Sequence, residues 1–279
     1  MKVLFTLTSA ESRRLIAKAV VRMPEVQKAW QSAYLLLAGG TTNAFIAQEL
    51  LGEKYEPGRC TVGISTDGLL CVTEPSSRRS FPAVFFQGQP CEKTMPEALA
   101  DYKPDTVIIK GANAVDPDGY VGIITSGFDG GTIPKIIGPA TSKGLTWITP
   151  VGLEKQVPSV QACAKALGGA TRIDISMGAD PGMYCLGTTV VVTEVEAIRQ
   201  MFDCEVSLIA RGGVGGNEGA VTLTAVGEAE NIQALVAYLE NEIKGEPPVK
   251  GNRGNCLNCR YKFCRYNGKA PEDRPAFLR

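Results

Sequence analysis

Short apolar runs alternate with amphipathic stretches along most of the chain. KVLFTL reads as a strand, and Thr8 and Glu11 stand at capping-box spacing ahead of SRRLIAKAVVRM, whose apolar positions recur with a helical period. A short helix around PEVQKAW leads to AYLLLA, a buried strand, and then to the helix NAFIAQELL, which Gly52 ends. CTVGISTDGLLCVT places apolar residues on both sides of Asp67-Gly68 and predicts a tight hairpin. FPAVFFQ, TVIIKGA, LTWITPV and RIDIS read as further strands. MPEALADY, the stretch near GTIPKIIGPATSKG, and PSVQACAKALGG read as helices.

Strands that are continuously apolar and alternate with helices belong to sheets covered on both faces. The expected fold is therefore α/β, with a mainly parallel, Rossmann-like sheet over residues 1–185. From 186 the order changes. TTVVVT, EVEAIRQMF, CEVSLIA, AVTLTAV and AENIQALVAYLENEI read as strand, helix, strand, strand, helix. That is most of a split βαβ unit, and predicts a small ferredoxin-like α+β domain over 186–245. The Pro/Gly-rich segment KGEPPVKGNRGN then opens a basic, Cys-containing tail over 246–279.

Composition narrows the chemistry. The chain has 279 residues and no histidine, which removes Ser-His and Cys-His catalysis and imidazole metal ligands. Any general acid or base must be Asp, Glu, Lys, Tyr or Cys. Basic and acidic residues balance at 29 each, so overall charge names no partner. No apolar run reaches the length of a membrane span, and the first residues lack a secretory pattern. The expectation is a cytoplasmic protein without a membrane partner; a homo-oligomer is left open.

Three glycine-rich junctions stand out. AGGTTNA carries Gly39, Gly40, Thr41, Thr42 and Asn43 between a strand and a helix. IIKGANAVDPDG carries Lys110, Gly111, Asn113, Asp116 and Asp118, and SGFDGGTIPK carries Gly130, Gly131, Thr132 and Lys135. Helix N-termini offer free N–H groups and partial positive charge, and glycines let a ligand approach the backbone. Each junction alone is also an ordinary capped turn. Three at the carboxyl edge of one parallel sheet would converge on an anion site.

These segments resemble ribose-5-phosphate isomerase A and, more widely, the superfamily it shares with glucosamine-phosphate deaminase and the coenzyme A transferases; DeoR-type regulators carry related sensor domains. LLLAGGTTNAFIAQELL is similar to the first phosphate loop of that isomerase, GANAVDPDG to its Gly-Ala-Asp-Glu-Val-Asp-Pro stretch, GGTIPKIIG to its next helix start, and ITPVGLEKQVPSVQACAKALGG to its Pro-Val-Glu-Val-Pro segment. The likeness runs, with gaps, over residues 33 to 245. It implies a phosphorylated ligand or another anionic small metabolite. The departures fall on the chemistry. Lys110 and Asn113 stand where the isomerase carries aspartates, Ala114 where it carries a glutamate, and Pro134, beside Lys135, where its proton-abstracting glutamate is expected. Ordinary ribose-5-phosphate isomerase activity is not expected; isomerase-like chemistry of another kind stays open.

Asp116 and Glu154 remain as candidate catalytic carboxylates. Asp116 lies in DPDG, which is equally a turn sequence. Glu154 follows a strand end, where it would serve as an active-site acid, as the nucleophile of an acyl or coenzyme A transfer, or simply as half of an ion pair. ARGGVGGNEGA reads as a flexible hairpin whose Arg211 could reach a phosphate.

The tail holds Cys256, Cys259 and Cys264 in CLNCRYKFC, a C-x2-C-x4-C spacing that suits zinc or an iron–sulfur cluster. Three ligands leave a fourth to be supplied by another cysteine, a partner or water; reduced, unliganded thiols are the plain alternative. In that third reading the protein is a metal- or cluster-bearing interaction protein working through its tail. The other six cysteines, Cys60, Cys71, Cys91, Cys163, Cys185 and Cys204, read as buried free thiols. Basic residues interleaved with Tyr261, Phe263 and Tyr266 suit single-stranded nucleic acid or the protein's own acidic surface; nucleic acid is not the expected partner.

Overall fold

The computed structural model describes residues 1–279. Strand β1 (Lys2–Leu7) leads to α1 (Ser9–Val20), α2 (Pro24–Ser32), β2 (Tyr34–Leu37) and α3 (Thr41–Leu51). Thr8 and Glu11 form the expected reciprocal cap of α1, and Gly52 ends α3 in the left-handed conformation. The hairpin of β3 (Gly63–Thr66) and β4 (Leu69–Val72) turns through Asp67 and Gly68, both at positive φ. β5 (Val84–Phe86), β6 (Gln89–Pro90), α4 (Met95–Ala100) and β7 (Val107–Ile109) follow. Next come β8 (Ala114–Val115), β9 (Val121–Thr125), α5 (Ile133–Lys143), β10 (Thr146–Pro150) and α6 (Val160–Leu167). The chain continues through β11 (Gly182–Leu186), β12 (Val190–Val192), α7 (Glu194–Phe202), β13 (Glu205–Arg211), β14 (Val221–Val226) and α8 (Ala229–Tyr238).

The largest sheet has the order β12-β10-β7-β2-β5-β6. Its first four strands are parallel; β5 pairs antiparallel with β2, and β6 antiparallel with β5, at one edge. It is buried on both faces, which is why its strands read as unbroken apolar runs. Leu35, Leu37, Val107, Ile109 and Ile148 join the core beneath α1, α3 and α7. Tyr34, Leu36, Ile108 and Trp147 join a second core with residues of α4 and α5.

Several strands change places relative to the sequence reading. TTVVVT, expected in the small domain, supplies β12 and pairs in parallel with β10 in the large sheet. β1 instead pairs antiparallel with β14, Leu7 opposite Val221, in a three-stranded sheet β1-β14-β13. That sheet shares one continuous core with the large sheet through Leu7, Val206, Leu223 and Ile198. RIDIS forms no strand; only Ser176 bridges, to Cys264. β9 and β11, from VGIIT and GMYCL, pair antiparallel and make a separate sheet with β8.

The tail from 246 has no strand and no α-helix, yet it is packed. Gly254 N–H donates to Val72 O at 2.8 Å and Glu74 N–H to Asn252 O at 3.0 Å, so it runs along the β3–β4 hairpin. Ser176 N–H donates to Phe263 O and Arg265 N–H to Ser176 O, which fixes its middle. Tyr261 and Tyr266 are buried, while Phe263 is exposed.

Candidate functional site

A cavity of about 980 Å³ opens where the ends of β2, β7 and β9 meet the β3–β4 hairpin and the tail. The three glycine-rich segments all line it: Gly39 to Asn43, Lys110 to Asn113, and Gly127 with Asp129 to Ile133. Two of them are strand-to-helix junctions. The middle one is not: the chain leaves β7 and enters the short hairpin β8–β9. The third starts from β9, which belongs to the small antiparallel sheet rather than the parallel one. Convergence on one cavity thus arises from two sheets meeting, not from one sheet edge.

At the first junction no side chain caps α3. Asn43 is fully buried and its Nδ2 donates to Ala38 O at 2.7 Å and Ile109 O at 3.2 Å, tying the ends of β2 and β7 together. Its Oδ1 has no partner. Gly39 lies where a Cβ would come within 3.1 Å of Cys60 O, so a side chain there would need that backbone to give way. α5 also starts without a side-chain cap. Gly130 and Gly131 take positive φ, and a Cβ on Gly130 would land on Tyr184 Oη. Asp129 accepts from Gly131 N–H at 3.0 Å and so puts a carboxylate within this loop.

The cations overlap only in part with those the sequence singled out. Lys110 lines the cavity with no carboxylate against it, and burial alone lowers its pKa to about 8. Lys155, adjacent to Glu154, donates from Nζ to Ala112 O at 2.9 Å. Burial, and then the neighbouring Arg13 guanidinium, push its pKa down to about 8, with Glu154 opposing. Both side chains keep partial access to the cavity, whose walls still strip most water from the ammonium groups. Arg13 of α1 and Arg260 of the tail also line it. Lys135 does not: it is half-exposed and stands 3.9 Å from Asp129.

The two candidate carboxylates separate. Glu154 lines the cavity and is held by Arg13 Nη2 at 2.6 Å, both side chains 15% exposed. Arg13 is itself fixed by Nη1 donating to Ser9 O at 3.0 Å. A Cβ on Gly219 would reach Glu154 Oε2 at 2.9 Å, so the β13–β14 loop closes tightly over that carboxylate. Asp116 is buried and lies outside the cavity lining. Its Oδ1 accepts from Asp118 N–H and Tyr120 N–H, and its Oδ2 from Val160 N–H at 2.8 Å. The turn reading of DPDG accounts for the first two bonds, and the third satisfies the first amide of α6, whose cap is Ser159. Arg211 donates to Gln156 O at 2.6 Å and stays off the cavity.

One more acid lies nearby. Glu194 is fully buried at the start of α7, accepting from Leu153 N–H at 2.9 Å through Oε2 while Oε1 has no partner. Burial raises its pKa, partly opposed by the Leu153 hydrogen bond. Of these groups, Arg13, Lys155, Glu194 and Arg260 escape a sequence reading, since nothing in their local pattern differs from a surface charge.

In the tail, Cys256 is buried with Leu69, Tyr266 and Leu278, and Cys71 and Cys264 pack against the same cluster. Arg253 Nη1 approaches Cys256 Sγ at 3.6 Å. All nine cysteines are free, and no group of three or more Cys, Asp or Glu side chains stands ready-arranged around a metal position. No helix is long and apolar enough to cross a membrane.

No family model and no curated protein matches the chain. Among solved structures, one of D-ribose-5-phosphate isomerase in complex with phospho-erythronic acid is similar at 14% identity, over 82% of this chain and 86% of that one, with a TM-score of 0.28. At that score no residue correspondence follows.

Proposed function

We propose that the protein binds a small phosphorylated or otherwise anionic metabolite in this cavity. The observation that carries the reading is Lys110, an ammonium that lines the cavity without a counter-charge, beside two uncapped helix starts. A desolvated cation without a carboxylate partner is costly unless an anion arrives. The amides at the starts of α3 and α5 add donors that suit phosphate or carboxylate oxygens. The motif resemblance around AGGTTNA and GGTIPK points to the same ligand class, and to an isomerase-like scaffold whose usual carboxylates are replaced.

A thermal-shift panel of sugar phosphates, inorganic phosphate and acyl-coenzyme A esters tests this. A ligand held 100-fold above its Kd stabilises the fold by about 2.7 kcal/mol. One anionic class should raise Tm in the wild type, and Lys110→Met, checked as folded by circular dichroism, should lose that response. The reading fails if no anion shifts Tm, or if Lys110→Met responds like the wild type.

A second reading adds chemistry, because Glu154 is a carboxylate fixed inside the same cavity by Arg13. It would act as base in an isomerase-like reaction or as nucleophile in an acyl transfer. Turnover abolished in Glu154→Gln while ligand-induced stabilisation persists would support it.

A further inference from the structure

The sequence leaves the C-x2-C-x4-C motif one ligand short, and tertiary structure brings a candidate from nearly two hundred residues away. Cys71 lies on β4, and the flanking residues of that strand anchor the surrounding segments. Ala179 N–H donates to Leu70 O on one side, and Gly254 N–H donates to Val72 O at 2.8 Å on the other. Ser176 bridges Cys264, so the strand holding Cys71 and the turn holding Cys264 are bound to one short stretch, 176–179. The side chains meet as well: Cys71 and Cys264 pack against the cluster that contains buried Cys256. Cys259 is brought back to Cys256 by a tight turn, its N–H donating to Cys256 O at 3.3 Å, and Gly268 N–H donates to the same carbonyl at 2.8 Å. Asn267 Nδ2 closes the other side of the loop on Cys259 O and Tyr261 O.

We propose that Cys71, Cys256, Cys259 and Cys264 form one tetrathiolate site for a thiophilic metal centre, a single zinc ion or an iron–sulfur cluster. It joins the C-terminal tail to the β3–β4 hairpin. The four cysteines lie in one neighbourhood, and their side chains do not yet close on a point. Closure requires the side chains to reorient; Cys71, Cys259 and Cys264 are only partly buried. On binding, the thiols release their protons and each sulfur forms one bond to the metal or to a cluster iron. Four thiolates around a divalent ion or cluster carry excess negative charge. Arg253, whose Nη1 reaches Cys256 Sγ and whose Nε pairs with Asp67 at 2.9 Å, is placed to balance it. Arg260 follows Cys259 directly. Cys71 and Arg260 also line the large cavity, so the centre would form part of its wall. The site stands independently of what that cavity holds.

The test is metal and acid-labile sulfide analysis of anaerobically purified full-length protein, with its visible spectrum. A brown preparation with iron and sulfide identifies a cluster; a colourless one with stoichiometric zinc identifies a single ion; both support the site. Reduced, metal-free protein is then titrated with Co²⁺. The wild type should show thiolate-to-cobalt charge transfer, and Cys71→Ser should lose at least about 100-fold in affinity, the upper end of what outer-shell partners cost. Cys91→Ser should titrate like the wild type. Because a variant can misfold, alkylation of the wild type with and without Co²⁺ is read by mass spectrometry. Cys71, Cys256, Cys259 and Cys264 should become protected together, while Cys163 does not. Absence of both native metal and cobalt binding overturns the proposal, as does a protected set that omits Cys71.

Discussion

Lys110 and Asp116, on either side of β8, show how differently two neighbouring residues are used. Lys110 has a cavity and no partner; Asp116 has three backbone donors and no cavity. Their charges therefore make opposite predictions. With a pKa near 8 in the folded protein against an ordinary 10.5, Lys110 stays charged at neutral pH but gives up its proton more readily than a free lysine. Lys155 is lowered to the same region. In the free protein both lose charge as pH rises through about 8, so anion affinity should fall there and binding should take up protons. Calorimetry near pH 8 in buffers of different ionisation enthalpy reads that uptake; heats independent of the buffer would count against lysine involvement. The same shift makes these lysines' contribution to stability rise between the folded and unfolded values, because the unfolded chain binds more protons in that window. Asp116→Ala should instead cost stability, about 1–3 kcal/mol for the buried donors it leaves unsatisfied. Denaturant melts measure that cost. Ligand affinity of the folded fraction should be unchanged, since its carboxylate does not line the cavity.

At the scale of elements, the β3–β4 hairpin organises more than its length suggests. Its inner face carries Leu69 and Cys71 toward the tail cluster, and its backbone receives the tail through Val72. A Cβ on Gly251 would collide with Thr66, so the linker lies against the hairpin at glycine distance. Gly251→Val should overpack this contact by about 1–3 kcal/mol. Hydrogen exchange should then accelerate in 246–279 and in 63–72 together while the parallel strands stay protected. Faster exchange in the tail alone would mean that hairpin and tail are not one unit. The hairpin itself was legible, because Asp67-Gly68 between apolar runs demands positive φ at both turn positions. Its destination was not, because sheet-edge partners come from distant sequence.

For the whole molecule, β1 is decisive. It precedes the elements of the large sheet yet completes the small one, and Leu7 sits in the core that both sheets share. Leu7→Ala should cost about 2–5 kcal/mol through the cavity it leaves. Because the core is continuous, the loss should lower a single thermal transition. A variant in which the small sheet melts separately at lower temperature would show that the two sheets fold as independent units.

Local chemistry, readable along the chain, determined the helices and the strands of the parallel sheet. The capping box at Thr8 and Glu11, the left-handed stop at Gly52, and runs such as YLLL and VII depend on neighbours within a few residues. The glycine loops were likewise visible, since positive φ and close packing leave few other residues possible. Partner choice among strands was left to tertiary structure. TTVVVT and KVLFTL both read as apolar strands, and only long-range burial assigns one to the large sheet and the other to the small. The same holds for the cavity. Which lysine lacks a counter-charge, which carboxylate is consumed by backbone amides, and which cysteine meets the C-terminal three depend on residues brought together across the chain.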